Sequence, residues 1–173
     1  MQLLWLNLAT NGIQHVGLAF EPGQGDELKT KPRPTDEPIF NRLMVERVLL
    51  SAAVMGLMSF GLFKWLLDNG VGEAQARNNL LLFMVLFENV QIGNCRSETL
   101  SAFRLSPLRS PFLLVTTVTA FLLHLTMLYL PFGQEVLGTA PVSLSTWTLL
   151  ISLSLVVLAV MEAHKWIWRR YRA

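Results

Sequence analysis

Five polar residues interrupt the first apolar segment of the chain, and their chemistry suits the binding of a cation. Asn7, Thr10, Asn11 and Gln14 follow the i, i+3, i+4, i+7 spacing that puts side chains on one helix face, and His15 lies beside them. Amide and hydroxyl oxygens can replace water around a desolvated cation. Such groups also hydrogen-bond between membrane helices for about 1 kcal/mol each. Five of them in one segment favour an ion path or binding site over this packing role.

Glu88 is the sharpest signal, because an acidic residue follows a long apolar run. Residues 80–87 are almost wholly apolar, and Gln91, Asn94 and Glu98 come after Glu88 toward the end of the segment. An acidic side chain near the membrane centre costs about 3 kcal/mol on insertion scales. Glu88 must therefore be paired, protonated or bound to a cation. The alternative is a structural partnership with another helix, including one outside this chain.

Long apolar segments must position these groups. The chain is 52% apolar and 15% charged, which is typical of a polytopic membrane protein and not of a soluble core. A membrane helix needs about 20 mostly apolar residues. The sequence therefore predicts one all-α domain, a polytopic membrane bundle of five transmembrane helices. The predicted spans are residues 1–20, 43–67, 79–95, 110–130 and 144–163.

Basic residues predict the topology of this bundle. Twelve of the 14 Lys and Arg residues fall around the loop before span two, in the loop after span three and in the C-terminal tail. Lys64 and Arg77 are the two on the opposite side. The positive-inside rule makes the richer side cytoplasmic. We therefore expect an outside N-terminus, a cytoplasmic loop at residues 21–42, made irregular by its prolines and glycines, and a cytoplasmic tail at residues 164–173.

Counting ligands indicates that any cation site is incomplete within this chain. Asn7, Thr10, Asn11 and a bidentate Glu88 supply about five oxygens, whereas calcium takes about 6–8. The sequence has no cluster of His, Cys and carboxylates suited to zinc or copper. Cys95 is the lone cysteine, so an internal disulfide is excluded. Other helices would have to complete the site.

Several strings resemble the membrane part of the type II P-type cation ATPases, the class of the calcium and sodium pumps. Leu-Leu-Trp-Leu-Asn-Leu-Ala-Thr-Asn-Gly at the start of the chain is similar to the sixth transmembrane helix of that family, and Leu-Phe-Glu-Asn to the eighth. Similar strings match the loop after the sixth helix and the ninth and tenth helices, in order and with the family's spacing. The matching stretches are residues 3–12, 19–22, 31–34, 37–38, 86–89, 97–98, 123–131 and 162–166.

This resemblance implies a set of site residues. It makes Asn7, Thr10, Asn11 and Glu88 the cation ligands. From their polar positions beside these ligands, we expect four further residues to lie behind the ligands or along the ion path: Gln14, His15, Gln91 and Asn94. One departure concerns Asn11, where the calcium and sodium pumps usually carry Asp. The exchange removes one negative charge, so the identity and number of the transported ions stay open.

The resemblance also indicates what this chain lacks. The family's phosphorylation motif, Asp-Lys-Thr-Gly, is absent, as is a soluble segment large enough for a nucleotide domain. We therefore identify no catalytic residue and no cofactor in this chain, and the complete pump would need ATP and magnesium. The chain starts almost inside a membrane helix, so we expect it to follow an upstream part of a larger protein.

The expected partners follow from this interpretation. They are membrane lipid, the remaining part of the ATPase with its N-terminal helices and cytoplasmic domains, and the transported cation, with no nucleic acid. We expect the plasma membrane of a prokaryote as the location. The main alternative is a free-standing membrane subunit or scaffold without transport activity. An autonomous channel is less favoured, because five spans form no ring unless the chain oligomerises.

Overall fold

The computed structural model describes residues 1–23, 38 and 40–171, and this part of the chain contains helices and no strand. The predicted all-α class is thus confirmed. Two short 3-10 turns, Ala102–Arg104 and Pro107–Arg109, connect the fourth helix to the fifth. The helical elements are α1 (Gln2–Trp5), a π-helical segment (Leu6–Asn11), α2 (Gly12–Ala19), α3 (Arg42–Asp68), α4 (Glu73–Cys95), α5 (Pro111–Tyr129), α6 (Pro131–Leu137) and α7 (Leu144–Tyr171).

Three of these helices, α3, α5 and α7, are long and apolar enough to cross a membrane. The N-terminal helix, formed by α1, the π-helical segment and α2, is divided into three short pieces. α4 has sufficient length, but Glu73, Arg77 and Glu88 lower its apolar character. Three spans are therefore supported by length and composition, and the bundle of five spans stays a prediction.

The ends of the elements differ in detail from the sequence-based boundaries. α7 continues to Tyr171, so residues 164–171 of the predicted tail are helical. Most of the predicted loop at 21–42, residues 24–37 and 39, lies outside the described residues, as do 172 and 173. The segment between the fourth and fifth predicted spans contains the short helix α6, whose C-cap Gly138 has a left-handed φ of 63°. Glycine adopts this conformation without the penalty that a Cβ would bring.

α4 lies at the centre of the bundle, where it contacts α3, α5, α7 and the N-terminal helix. Its side chains Phe83 and Phe87 are almost fully buried and meet edge to face, with ring centroids 6.1 Å apart. They pack in one apolar cluster with residues of α3, α5 and α7. The members of the cluster outside α4 are Leu62, Leu66, Leu128, Leu150, Val157 and Met161.

The N-terminal helix and α5 are joined near both ends. Near one end, the Trp5 indole N–H donates to Nδ1 of the fully buried His124 at 3.3 Å. Near the other end, a Cβ placed on Gly17 would lie 2.0 Å from the Thr116 hydroxyl oxygen. Only glycine permits so close an approach between the two helices.

Glu162 and Lys165 form an ion pair near the end of α7, with Lys165 Nζ 3.6 Å from Glu162 Oε1. The Lys165 side chain is 0% exposed, so it does not extend to the membrane surface. It turns inward, and its ammonium donates to the backbone carbonyl of Asn94 on α4. A hydrogen-bond acceptor on another helix thus outweighs the attraction of the aqueous interface.

Candidate cation-binding site

The π-helical segment carries most of the polar residues of the N-terminal helix. In a π-helix the backbone bonds run from i to i+5 and the turn is wider than in an α-helix. The N–H of Gly12 bonds to the carbonyl of Asn7 in this way. Gly12 keeps helical angles, with φ −57° and ψ −47°. The helix therefore widens before Gly12 and does not break there.

This wider turn changes which polar side chains share a face. Thr10 and Gln14 are buried and Asn11 is half-buried, whereas Asn7 and His15 are exposed. Residues four apart no longer stack one above the other when the hydrogen bonds run from i to i+5. Asn7 is therefore turned away from the buried face that the α-helical spacing assigned to it.

Glu88 on α4 faces the π-helical segment with both carboxyl oxygens. Its Oε1 accepts a hydrogen bond from Asn11 Nδ2, and its Oε2 lies within hydrogen-bond distance of Thr10 Oγ1, both at 2.9 Å. One residue further along α4, Asn89 Oδ1 accepts from Gln14 Nε2 at 2.9 Å. The two most polar helical segments of the chain therefore meet through a ladder of side-chain hydrogen bonds.

Thr10 links Glu88 to the backbone of its own helix. The Thr10 hydroxyl also bonds to the carbonyl of Leu6. A hydroxyl has a single proton and can donate only once, but it can accept further bonds. Thr10 Oγ1 faces both the Leu6 carbonyl and Glu88 Oε2, so its single proton lies between two acceptors. Thr10 therefore holds the Glu88 carboxyl group against the π-helical segment.

A cavity of about 300 Å³ opens beside Glu88, between the N-terminal helix, α3 and α4. Five of the eight residues singled out in the sequence line it. They are Asn11, Gln14, His15, Glu88 and Gln91. The others lie elsewhere: Thr10 is buried against Glu88, Asn7 is exposed, and Asn94 is fully buried further along α4, with its Nδ2 3.4 Å from Gln91 Oε1.

Two polar residues of this region were missed from the sequence. Asn89 bonds to Gln14, and Ser51 on α3 lines the cavity. Ser51 is a single polar residue within an apolar segment, which was the signal used for Glu88. Asn89 directly follows Glu88, so it was quoted in the resemblance and given no role of its own.

The chemistry of these groups favours a cation that prefers oxygen. Glu88 offers a carboxylate and Thr10 a hydroxyl, and half a turn of the Asn11 amide would bring its oxygen to the place of its nitrogen. Within the described ranges no group of three or more His, Cys, Asp and Glu side chains could hold a metal ion. Oxygen donors of this kind suit alkali and alkaline-earth cations better than zinc or copper.

The long apolar helices define the class of this chain, an integral membrane protein. The family model described as "Cation transporting ATPase, C-terminus" matches residues 1–167, and the chain belongs to this family. The central carboxylate at Glu88 lies within the matched region. The resemblance inferred from the sequence is thus confirmed.

Curated relatives carry names of the same kind. A "Probable cation-transporting ATPase F" of Mycobacterium tuberculosis is 30% identical over 160 residues, which is 92% of this chain and 18% of the relative. A "Calcium-transporting ATPase type 2C member 2" of Mus musculus is 30% identical over 99% of this chain and 18% of its own length. A "Calcium-transporting ATPase" of Bacillus subtilis is 29% identical over 89% of this chain and 17% of its own length. The chain therefore spans less than a fifth of these relatives.

Family membership decides between the two main interpretations of the sequence. The chain corresponds to the C-terminal membrane region of the cation-transporting P-type ATPases, and this favours the membrane domain of a pump over a free-standing membrane subunit or scaffold without transport activity. The matched region ends close to the end of α7, so the family assignment reaches every described helix.

Proposed function

We propose that this chain supplies part of the cation-binding and translocation site of an ATP-driven pump, with Glu88, Thr10 and Asn11 as ligands. The observation that carries the proposal is the contact of both Glu88 oxygens with the π-helical segment. A carboxyl group at this depth is costly unless it is protonated or paired. A bound cation in one state of a transport cycle and a bound proton in another would each satisfy this carboxyl group.

Asn7 belongs to the proposed ligand set although it does not touch Glu88. An exposed amide on a helix within the membrane would face lipid at a cost of free energy. His15 is exposed in the same way on α2. We infer that helices from the remaining part of the pump cover Asn7 and His15 and add the oxygens that this chain lacks. Gln14, Gln91 and Asn94 would then support the ligands or line the ion path.

The wider setting of the domain is part of the same proposal. Five membrane spans, an outside N-terminus and a cytoplasmic C-terminus agree with the distribution of basic residues. The rest of the ATPase would provide the phosphorylated aspartate and would use ATP and magnesium. Lipid and the transported cation complete the proposed partners, in the plasma membrane of a prokaryote.

Replacing Glu88 by Gln in the complete pump tests the site directly. The amide preserves size and hydrogen bonding but removes the carboxylate charge. We expect the cation concentration for half-maximal ATP hydrolysis to rise about tenfold, equivalent to about 1.4 kcal/mol. Glu135→Gln is the matched control, because Glu135 is exposed on the short helix α6. If Glu88→Gln changes the thermal stability but leaves the cation dependence of ATP hydrolysis unchanged, the role of Glu88 is purely structural.

Asn11→Asp tests the charge at the centre of the same site. The added carboxylate lies beside Glu88, so a divalent cation should bind more tightly and the half-maximal concentration should fall. Two carboxyl groups in contact also repel when both are ionised. We therefore expect lower thermal stability without cation and recovery when a divalent cation is added. The site assignment would fail if neither quantity responded to the cation.

Cysteine labelling tests the proposed topology. Single cysteines introduced in residues 98–109 should react with a membrane-impermeant reagent only from the cytoplasmic side. Cysteines in residues 133–141 should react only from outside. Cytoplasmic labelling of residues 133–141 would contradict the arrangement of five spans while leaving the Glu88 contacts intact.

A further inference from the structure

Two positively charged side chains converge on one backbone carbonyl at the C-terminal end of α4. Lys165 Nζ, from α7, donates to the carbonyl oxygen of Asn94 at 3.2 Å. Arg47 Nη2, from α3, donates to the same oxygen at 2.9 Å. Three long helices therefore meet at a single acceptor, and we call this group of Arg47, Asn94 and Lys165 the α4 anchor.

The position of the α4 anchor has an electrostatic reason. The last four carbonyls of a helix have no partner within the helix, and the C-terminal end carries a partial negative charge. Asn94 is 0% exposed, so its carbonyl is shielded from water. The cations from α3 and α7 thus compensate a charge that would otherwise be buried without a partner.

Stability alone does not explain a buried lysine. Removing an ammonium group from water costs several kcal/mol, and an apolar side chain of similar length often stabilises a buried position equally well. The carboxylate that pairs with Lys165 has a second partner. Glu162 Oε1 also accepts a hydrogen bond from the backbone N–H of Ala102, at 2.8 Å. The ion pair therefore offsets only part of the cost, and a directional role of Lys165 toward α4 is the better explanation.

The α4 anchor lies close to the proposed cation site. Asn94 follows Glu88 by six residues, or about 9 Å along the helix axis. Arg47 lines a cavity of about 260 Å³ whose wall shares four residues with the cavity beside Glu88. The shared residues are Val48, Ser51, Gln91 and Cys95. A displacement of α4 at its anchored end would therefore be transmitted to Glu88 through one rigid helix.

We propose that Lys165 and Arg47 are positioning residues that fix the depth and rotation of α4 and so keep Glu88 opposite Thr10 and Asn11. The inference rests on the proposed function of Glu88 as a ligand. Its physical basis is that the two 2.9 Å contacts of Glu88 tolerate little axial movement of α4. Misplacement of a binding group by about 1 Å can lower activity by up to about 100-fold.

Three variants of the complete pump test this proposal. Lys165→Met keeps the length of the side chain but removes its charge and its donor, Lys165→Arg keeps both, and Lys64→Met is the control at an exposed position on α3. We expect Lys165→Met to raise the half-maximal cation concentration about fivefold to tenfold, with the maximal rate changed less than about twofold. Lys165→Arg should restore the value to within about twofold, and Lys64→Met should leave it unchanged. Lower thermal stability with unchanged cation dependence would overturn the proposal.

A double variant separates this inference from the proposed function. If Lys165 acts through Glu88, adding Lys165→Met to Glu88→Gln should raise the half-maximal concentration no further. Additive effects would overturn the positioning role. If Glu88→Gln alone has no effect on the half-maximal concentration, the proposed function fails. The α4 anchor then has no ligand to position, and the inference fails with it. If Lys165→Met fails to fold, Arg47→Gln replaces it in the same measurements. Arg47 is partly exposed, so its replacement should disturb folding less.

Discussion

α3 and α4 are adjacent helices of similar length, but they face opposite environments. α3 is one of the three helices apolar enough to cross a membrane, and only 6% of its most apolar 18-residue stretch is buried by the rest of the chain. α4 carries Glu88 and four Asn residues, and eleven of its side chains are buried. In a soluble protein the more apolar helix would occupy the centre. Here the more polar helix does so, because lipid takes the place of water around the bundle.

The difference between α3 and α4 shows which forces hold this domain together. Apolar side chains gain little by moving from lipid to protein, so helices in membranes associate through close packing and hydrogen bonds between them. α4 has both kinds of contact, with Phe83 and Phe87 in the core and Glu88 and Asn89 bonded to the N-terminal helix. α3 has its exposed surface available for lipid or for the remaining part of the pump.

The largest expected effect on stability comes from truncating the centre of α4. Phe83→Ala should lower the free energy of unfolding of the pump by about 4 kcal/mol, since it leaves a cavity among side chains that are fully buried. Phe60→Ala on α3 is the control, because Phe60 is 68% exposed. Thermal unfolding in detergent would measure both variants. Equal destabilisation would break the contrast between a central α4 and a peripheral α3.

A slightly smaller effect is expected where α4 passes into the following loop. Arg96 Nη2 pairs with Glu21 Oε1 at 2.7 Å, and these side chains are 7% and 13% exposed. Arg96→Gln leaves a buried carboxylate without its cation and should cost about 3 kcal/mol. Arg77→Gln, at the exposed start of α4, should cost less than about 1 kcal/mol. Similar costs for the two variants would show that burial does not separate the two ends of α4.

The smallest of these effects concerns a single hydrogen bond between helices. Trp5→Phe removes the donor to His124 Nδ1 and leaves a buried acceptor unpaired, at a cost of about 1–2 kcal/mol. Trp147→Phe also removes one indole bond, to the Tyr129 hydroxyl, but at an exposed site where water can replace it. We expect its cost to stay below about 0.5 kcal/mol. Thermal unfolding of both variants would sharpen the distinction between buried and peripheral contacts.

Some of the site could be predicted from residue types, and some depended on tertiary structure. Glu88 stood out because an acid after an apolar run is costly wherever the chain folds. The π-helical segment was not predictable, since its residues have ordinary helix preferences and its wide turn coincides with the contact of Thr10 and Asn11 with Glu88. The displacement of Asn7 follows from the same turn. The inward position of Lys165 was not predictable either, because its acceptor belongs to another helix.

The close approach of Gly17 to Thr116 has a consequence for motion. Together with the Trp5–His124 bond, it joins the N-terminal helix to α5 at two levels. Two separate tethers oppose both sliding and rotation, so these elements should move as one rigid body. A transport cycle that draws Thr10 and Asn11 away from Glu88 would then carry α5 with them. The hinge should lie on the α4 side, among side-chain hydrogen bonds that are able to break and reform.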